Sequence, residues 1–452
     1  MRSTVTRRHF LKSASVASAS TLAFPHLLRS QDAAGGPAQP ANNKLNIAFV
    51  GVGGRGWDAV DGLKTENMVA FCDVDSARAA KTYTTYPNVP RFRDYREMFD
   101  KLGNQIDAIT VSTPDHMHYP IALAALQMGK HVFVEKPLTH TIYEARMLAK
   151  VAAEKKVATQ MGNQGHAGEG IRLLKEWIDA GTLGEVREVH SWTDRPHNFW
   201  PQGALKKPDH SKFIPVVPNT LDWDLWLGVA PARPYDPAYM PFNWRGYWDF
   251  GTGALGDMGC HLLDGVHWAL QLDAPTHIDA ISGLHNDLTG PGSSLLTFQF
   301  PARGNLAPLT LKWYDGGLMP QLPADWGSNR PLPDNGTLIV GSKATVFANN
   351  YYQSVRIIPE VKRQEMASSL PPKTLPRVEG GHFAEWVRAC KGGEPAGSNF
   401  QVAAKLTELC LLSNVAVRAR RPIEWDADAM KVRNLPEMNQ YLTKEYRPGF
   451  GV

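Results

Sequence analysis

The sequence predicts an α/β protein built from a parallel-sheet domain over residues 43–163 and a second α/β domain over residues 164–452. Three observations carry this expectation. Between residues 45 and 154, short apolar runs alternate with helical periodicity, the order expected of a parallel sheet covered on both faces. Beyond a helix ended by Gly181, at least five strand-like runs follow, separated by Gly, Pro and Asn turns. The 452-residue chain is 43% apolar and 20% charged, which is enough apolar material for two substantial cores.

Residues 1–42 stand apart. Thr6-Arg7-Arg8-His9-Phe10-Leu11-Lys12 resembles a twin-arginine export signal, and it precedes a Ser- and Ala-rich stretch, residues 13–24, too short and polar to span a bilayer. This leader predicts recognition by the twin-arginine machinery, which moves proteins already folded, a periplasmic or otherwise exported location, and no stable membrane insertion. Its removal falls somewhere in the Gly/Pro/Ala-rich residues 30–41, where no single site stands out. The leader also accounts for the sign of the net charge. The formal +4 becomes −1 without the five bases of residues 1–30, so nothing suggests a nucleic-acid partner. The four cysteines form no CxxC pair and fit no metal spacing, so they are expected to be buried and reduced, with no bound metal.

The first strand, residues 45–50, runs into Gly51-Val52-Gly53-Gly54-Arg55-Gly56, and a helix through Lys64 follows. GxGxxG between a strand and a helix is the Rossmann fingerprint. Gly51 permits the tight turn, Gly53 lets the backbone approach a pyrophosphate, and Gly56 allows close packing of helix on strand, while Gly54 and Arg55 complete the phosphate loop. A second strand, residues 68–72, ends at Asp73, 20 residues after Gly53. A carboxylate there accepts hydrogen bonds from ribose hydroxyls and repels a 2′-phosphate, so NAD is favoured as cofactor; Arg78 nearby leaves NADP open. The alternation continues with a helix over 95–102, a strand over 106–112, a helix over 121–128, a strand over 131–134 and a helix over 142–154.

Two further motifs bring in a family. Ser112-Thr113-Pro114-Asp115-His116-Met117-His118 and Gly129-Lys130-His131-Val132-Phe133-Val134-Glu135-Lys136-Pro137 resemble the Gfo/Idh/MocA oxidoreductases, whose most specific local mark is the EKP tripeptide at a strand end. Gly253-Ala254-Leu255-Gly256-Asp257-Met258-Gly259-Cys260-His261 is similar to that family's second signature, an Asp followed four residues later by His. The resemblance spans essentially the whole chain after the leader. It implies a Rossmann domain followed by an α/β domain on an open, mostly antiparallel sheet, substrate held between the two, and homo-oligomers formed through the sheet's outer face. It also implies that Ser112, Thr113, Pro114, His116, His118, Glu135, Lys136 and Asn163 stand along the cofactor.

The residues carry chemistry of their own. Lys136 ends an apolar strand at the carboxyl edge of the sheet, where ligands of open α/β folds bind, and its ammonium could favour the alkoxide that develops as a hydride leaves. Asp257 and His261, four apart on a helix, share a face; His261 suits a general base, and Asp257 could orient its ring and raise its pKa. Which of Lys136 and His261 takes the alcohol proton stays open at this level. Asp264, one turn on, is either a partner of this pair or a solvating helix charge. Taken singly, a strand-end lysine or a helix Asp/His pair is as often structural. His116 and His118 form an HxH with no third ligand, so they are expected to line the nicotinamide end or to pack. Asn163 and His166 are expected to point into the interdomain cleft.

Residues 191–250 break the pattern and hold 13 aromatics, six of them tryptophans. Flat apolar rings suit the C–H faces of sugars, so this insertion either walls a carbohydrate cleft or forms its own small core. Trp244, Arg245, Tyr247 and Trp248, close to the Asp/His helix, are the expected substrate contacts, together with His166, Asp257 and His261. Helices over 382–390 and 400–417 should return toward the nucleotide domain, and the last residues should form a loose tail. An exported enzyme meets almost no free NAD, so the cofactor must be tightly held and regenerated within each cycle. Resemblance to the family's NAD-dependent glycosidase branch implies redox-neutral glycoside cleavage through transient oxidation of a sugar hydroxyl. A net sugar dehydrogenase, a sugar–sugar oxidoreductase and a non-catalytic sugar-binding protein are the alternatives.

Overall fold

The computed structural model describes residues 43–323, 326 and 331–451, so the twin-arginine leader lies outside the described residues. Six strands, β1 (Asn46–Val50), β2 (Asn67–Cys72), β3 (Arg91–Phe92), β4 (Ala108–Val111), β5 (His131–Val134) and β6 (Thr159–Met161), form a parallel sheet in the order β3-β2-β1-β4-β5-β6. Central strands of such a sheet are covered on both faces, and β4 is buried at every position. The helix Ile142–Lys155 begins at a capping box in which the Thr141 hydroxyl accepts from the Glu144 amide and Glu144 accepts from the Thr141 amide at 2.9 Å.

The second sheet has nine strands in the order β13-β12-β11-β7-β10-β9-β8-β14-β15. These are β7 (Val186–Trp192), β8 (His277–Ser282), β9 (Ser294–Phe300), β10 (Leu309–Tyr314), β11 (Gly336–Gly341), β12 (Thr345–Ala348), β13 (Val355–Ile358), β14 (Ile423–Asp426) and β15 (Lys431–Val432). Every pairing is antiparallel except β7 with β10. Along β10, buried Leu309, Leu311 and Trp313 alternate with partly exposed Thr310, Lys312 and Tyr314, so one face is packed and the other open. Helices Glu169–Asp179, Asp264–Ala269 and Phe400–Ala419 lie on the packed side.

The C-terminal third folds back on the first sheet. Phe400–Ala419 is long and apolar enough to span a membrane, yet it is mostly buried between the sheets, against Ile142–Lys155 and β8. Arg146 pairs with Glu408 through two contacts of 2.7 Å. The helix Gly381–Cys390 buries Trp386 and Cys390 with Ile47, Phe49 and Phe133 of the parallel sheet. The final residues are not the loose tail expected. Lys444 and the Tyr446 hydroxyl both reach Glu144 (3.1 and 2.7 Å), and Phe450 enters the cleft described next. A helix cap that spends only one carboxylate oxygen leaves the other for the returning chain. All four cysteines are buried and none is in a disulfide.

Candidate active site

The glycine turn is built around Asp73. Its carboxylate accepts the Val52 and Gly53 amides at 2.9 and 3.2 Å on one oxygen and the Asp75 amide at 3.0 Å on the other. Burial pushes this carboxyl above its usual range, and the three amides pull it back. Gly51 has φ +77°, which a side chain would strain. A Cβ on Gly53 would lie 2.7 Å from the Arg78 carbonyl oxygen, and one on Gly56 would lie 1.9 Å from that of Gly51. The turn therefore closes only with glycine. Gly56 packs beneath it rather than lining the cleft.

From this turn a cleft with a cavity volume of about 450 Å³ runs along the strand ends into the second domain. Gly51, Gly53, Gly54, Arg55 and Asp73 line one end, then Ser112, Thr113, Pro114, Glu135 and Lys136, and finally Trp244, Arg245, Asp257 and His261. Four buried side-chain oxygens along it, of Ser112, Thr113, Glu135 and Gln164, have no hydrogen-bond partner. Buried polar atoms are rarely left unpaired, and a row of them beside a glycine turn and a ribose-type carboxylate fits a dinucleotide. Arg55 reaches across to the other Glu135 oxygen at 3.1 Å, bracing the EKP segment against the turn.

The two domains meet chemically at Lys136. Its Nζ donates to the Asp257 carboxylate at 2.8 Å and to the Asp257 main-chain carbonyl at 2.9 Å. The expected α-helix around Asp257 is instead a π-turn, Leu255–Gly259, a widening common at functional sites. Burial alone would raise the Asp257 carboxyl, but the charges of Lys136 and Arg245 outweigh it and hold the group well below the usual carboxylate range. Asp257 does not orient His261, contrary to expectation, because its oxygens face Lys136, Arg245 and Arg195. His261 is buried, its Nδ1 has no partner, and the Tyr351 ring stands edge-on to it at 4.8 Å. Burial first, then the Lys136 charge, push its pKa well below the usual imidazole range despite the opposing pull of Asp257. Burial holds the ring neutral, with its Nδ1 unpaired.

The STPDHMH segment clamps the domains together. Asp115 accepts the Thr252 amide and hydroxyl at 3.1 and 2.6 Å, at the entry to the Asp257 turn. His116 is fully buried between Trp226 and Phe250, with ring nitrogens 3.1 Å from the Trp226 carbonyl and 3.3 Å from that of Phe250, and burial pushes its pKa down to about 3. The His118 ring bridges the carbonyls of Thr113 and Pro137 at 2.9 and 2.8 Å. Neither histidine lines the cofactor cleft. Both pack, fixing the segments that carry Thr113 and Lys136.

Other expected contacts also turn inward. Asn163 donates to one oxygen of Asp264 at 2.9 Å, and the His166 ring meets the other at 2.7 Å, so this buried trio is structural and the cleft receives Gln164 instead. Asp264 is thus neither a partner of His261 nor a solvating charge. Tyr247 belongs to the insertion's own core with Trp223, Trp226, Tyr239 and Phe250, and Trp248 donates to the Asn286 carbonyl away from the cleft. Trp244 and Arg245 do line it. The insertion is therefore both a small core and, along one edge, a cleft wall.

Arg195, Phe199, Phe242 and Tyr351 line the cleft without having been singled out from sequence. Gln164 opens the short 3₁₀ turn Gln164–Ala167, a turn that carries His166 inward to Asp264 and leaves Gln164 on the cleft side. Arg195 and Tyr351 follow strands of the second sheet, and only the sheet order brings them to this opening. Among the described residues, no group of three His, Cys, Asp or Glu is placed to hold a metal.

Comparison with known proteins agrees with this geometry. An oxidoreductase family with an NAD-binding Rossmann fold matches residues 45–163, and the same family's C-terminal alpha/beta domain matches 171–291, together more than half of the chain. A glycosyl hydrolase family 109 protein of Shewanella pealeana is 29% identical over 203 residues, 40% of this chain and 44% of that protein. An alpha-N-acetylgalactosaminidase of Shewanella oneidensis is 28% identical over 205 residues, again 40% and 44%. An uncharacterized oxidoreductase of Escherichia coli is 33% identical over 164 residues, 35% of this chain and 46% of that protein. The chain spans about half the length of the curated relatives it matches. In fold, the WlbA dehydrogenase of Chromobacterium violaceum, solved with NADH and UDP-GlcNAcA, superposes with a TM-score of 0.61 at 16% identity, covering 86% of this chain and 98% of that one. Levoglucosan dehydrogenase, solved with NADH and levoglucosan, gives 0.55 at 16% identity, covering 84% and 99%.

Proposed function

The chain belongs to the Gfo/Idh/MocA family of NAD-binding oxidoreductases, and from that premise we propose that it cleaves a glycoside by transiently oxidising a sugar hydroxyl, with the cofactor held throughout. The observation that carries this reading is the shared cleft: a glycine turn and unpartnered strand-end oxygens at one end, Lys136 and His261 from opposite domains at the other. NAD bound there supplies a two-electron acceptor that returns the pair before the cycle ends, so no net redox change remains.

The chain's residues supply the rest. Gly53, Asp73, Ser112, Thr113 and Glu135 hold the dinucleotide. Lys136, fixed by Asp257, donates a hydrogen bond to the sugar hydroxyl and favours its alkoxide. His261, neutral at rest, takes the hydroxyl proton. The sugar ketone that results acidifies the neighbouring C–H, and the aglycone departs by elimination as its alcohol, carrying that proton away. Water then adds its hydroxyl to the anomeric carbon and its proton to the neighbouring carbon, and the alcohol restored by the returned electron pair recovers its oxygen-bound proton from His261. The net reaction is hydrolysis.

Two findings and one expectation from the sequence support this scheme over ordinary glycoside hydrolysis. The central carboxylate, Asp257, is held too acidic to act as a proton donor near neutral pH. Relatives of about 28–29% identity are named as family 109 glycosyl hydrolases, one as an alpha-N-acetylgalactosaminidase. The twin-arginine pattern of the leader favours a protein that carries its cofactor out of the cell interior. The test is release of nitrophenol from aryl glycosides by protein purified without added NAD. Release that Lys136→Ala and His261→Ala abolish is expected; steady NADH accumulation with free sugar and added NAD, without release, would instead identify a net dehydrogenase.

A further inference from the structure

One carboxylate at the centre of the cleft faces three cations. Asp257 meets Lys136 at 2.8 Å, Arg245 at 3.5 Å and Arg195 at 3.8 Å. Arg195 has a second partner, Asp194, at 2.6 Å. Among the described residues Arg245 has no second ion pair: beyond its long contact with Asp257, its other hydrogen bond goes to the Phe242 carbonyl at 3.3 Å. Its side chain is 18% exposed, and that of Arg195 is 19% exposed. Both guanidinium planes are held by aromatic rings, Arg245 on Phe242 and Trp244 at 3.8 and 4.2 Å and Arg195 on Phe199 at 3.2 Å. The buried carboxyl of Asp115 also feels the charges of Lys136 and Arg245, though neither cation is within ion-pair distance of it. The most weakly paired of the three cations is a fork of N–H donors fixed in orientation beside the catalytic lysine.

A largely buried guanidinium with long, weak contacts is costly unless an anion completes it, and a planar fork matches a carboxylate in two parallel hydrogen bonds. A neutral sugar offers only hydroxyls there and leaves the Arg245 fork with no charged partner nearer than Asp257 at 3.5 Å. We propose that the sugar bound in this cleft carries a carboxylate, as a uronic acid residue does, and that Arg245, assisted by Arg195, receives it while Lys136 and His261 address a ring hydroxyl.

The proposal rests on the glycosidase reading for the position of the ring, and its test is binding rather than turnover. Purified holoprotein is titrated calorimetrically with pairs of methyl glycosides that share configuration and differ only at C6, hexuronide against hexoside, in the gluco and galacto series. At least one hexuronide is expected to bind on the order of 30-fold more tightly than its hexoside, with a preference that shrinks as salt rises from low to physiological strength. Arg245→Gln is expected to reduce that preference to within about threefold, Arg195→Gln to reduce it partly, and circular dichroism confirms that each variant is folded. Equal or weaker hexuronide binding in both series, no binding of either hexuronide, or a preference that survives both substitutions in folded protein overturns the proposal. Tight uronide binding without aryl-glycoside cleavage would refute the glycosidase reading alone, and cleavage of neutral glycosides with no uronide preference would refute only the carboxylate.

Discussion

Lys136 grips Asp257 twice, by its carboxylate at 2.8 Å and by its main-chain carbonyl at 2.9 Å, and this contact joins the last turn before the EKP proline to the π-turn of the second domain. The same carboxylate pulls the pKa of His261 up against burial and the lysine charge. Asp257 is thus a positioning residue for the lysine and an electrostatic counterweight for the imidazole.

Asp257→Asn is therefore expected to lower kcat by about 10²-fold, the scale of a misplaced catalytic group. His261 works as a base in its neutral form, so activity falls on the acid side as the ring protonates. Without Asp257 the ring protonates at lower pH, and the acid limb of the kcat/KM profile moves down. A pH–rate series on both proteins reads this, and a limb that stays in place or moves up contradicts it.

Gly53 tests the cofactor end. Alanine there would set its Cβ 2.7 Å from a main-chain oxygen, so Gly53→Ala should cost about 1–3 kcal/mol in stability and displace the turn. NAD affinity, measured by fluorescence titration, should fall at least about tenfold, matching about 1.4 kcal/mol. Asp73→Asn should weaken NAD and narrow its margin over NADP, because the charge that repels a 2′-phosphate is gone.

Asp264 was read from sequence as a possible neighbour of the catalytic pair, and the structure moves it into a buried trio with Asn163 and His166. Burial opposes protonation of His166, but the Asp264 charge and hydrogen bond prevail and raise its pKa. The stability this pair contributes is complete below the unfolded histidine pKa near 6.5 and is lost as pH rises through the higher folded value. Asp264→Asn should cost about 3–5 kcal/mol at pH 6 and erase that slope. Chemical denaturation at several pH values measures both, while KM in the folded variant should stay close to that of the parent.

How much of this was legible in the sequence follows from what each signal measures. Strand and helix alternation is a local pattern, and it located β1, β2 and β5 within a residue. The glycine turn and Asp73 were legible because the motif is itself a stretch of backbone geometry. Lys136 and His261 were legible through motifs, but the partner of Asp257 was not: spacing of four on a helix suggested His261, whereas the π-turn and the sheet order delivered Lys136 from another domain. His116, His118, Asn163 and His166 all turn away from the cleft, for one reason. Buried polar residues that hold domains in place have the same sequence signature as polar residues that touch ligand, and only burial and partners separate them. Arg195 and Tyr351 gave no signal at all, since long-range topology alone brings them to the cleft.

Asp315 offers a test of the second sheet independent of any ligand. It is buried at the end of β10, accepting from the Ser294 hydroxyl at 2.7 Å and the Trp313 indole at 2.9 Å, and burial raises its pKa to about 6. A raised acid is protonated more readily folded than unfolded, so its contribution is full below about pH 4 and is lost as pH rises through 6, a change of about 3 kcal/mol. Asp315→Asn should flatten the stability profile between pH 4 and 6.5, as read by urea midpoints. An unchanged slope there would mean that the carboxyl titrates normally in the folded chain.

The central claim is that a sugar carbon is oxidised and restored between Lys136 and His261. Cleavage of an aryl glycoside in heavy water, with the released sugar analysed by mass spectrometry and NMR, addresses it directly. Transient oxidation predicts one deuterium on the ring carbon next to the oxidised position, lost together with all activity in Lys136→Ala. Released sugar without carbon-bound deuterium, from a protein whose turnover survives that substitution, would contradict the account.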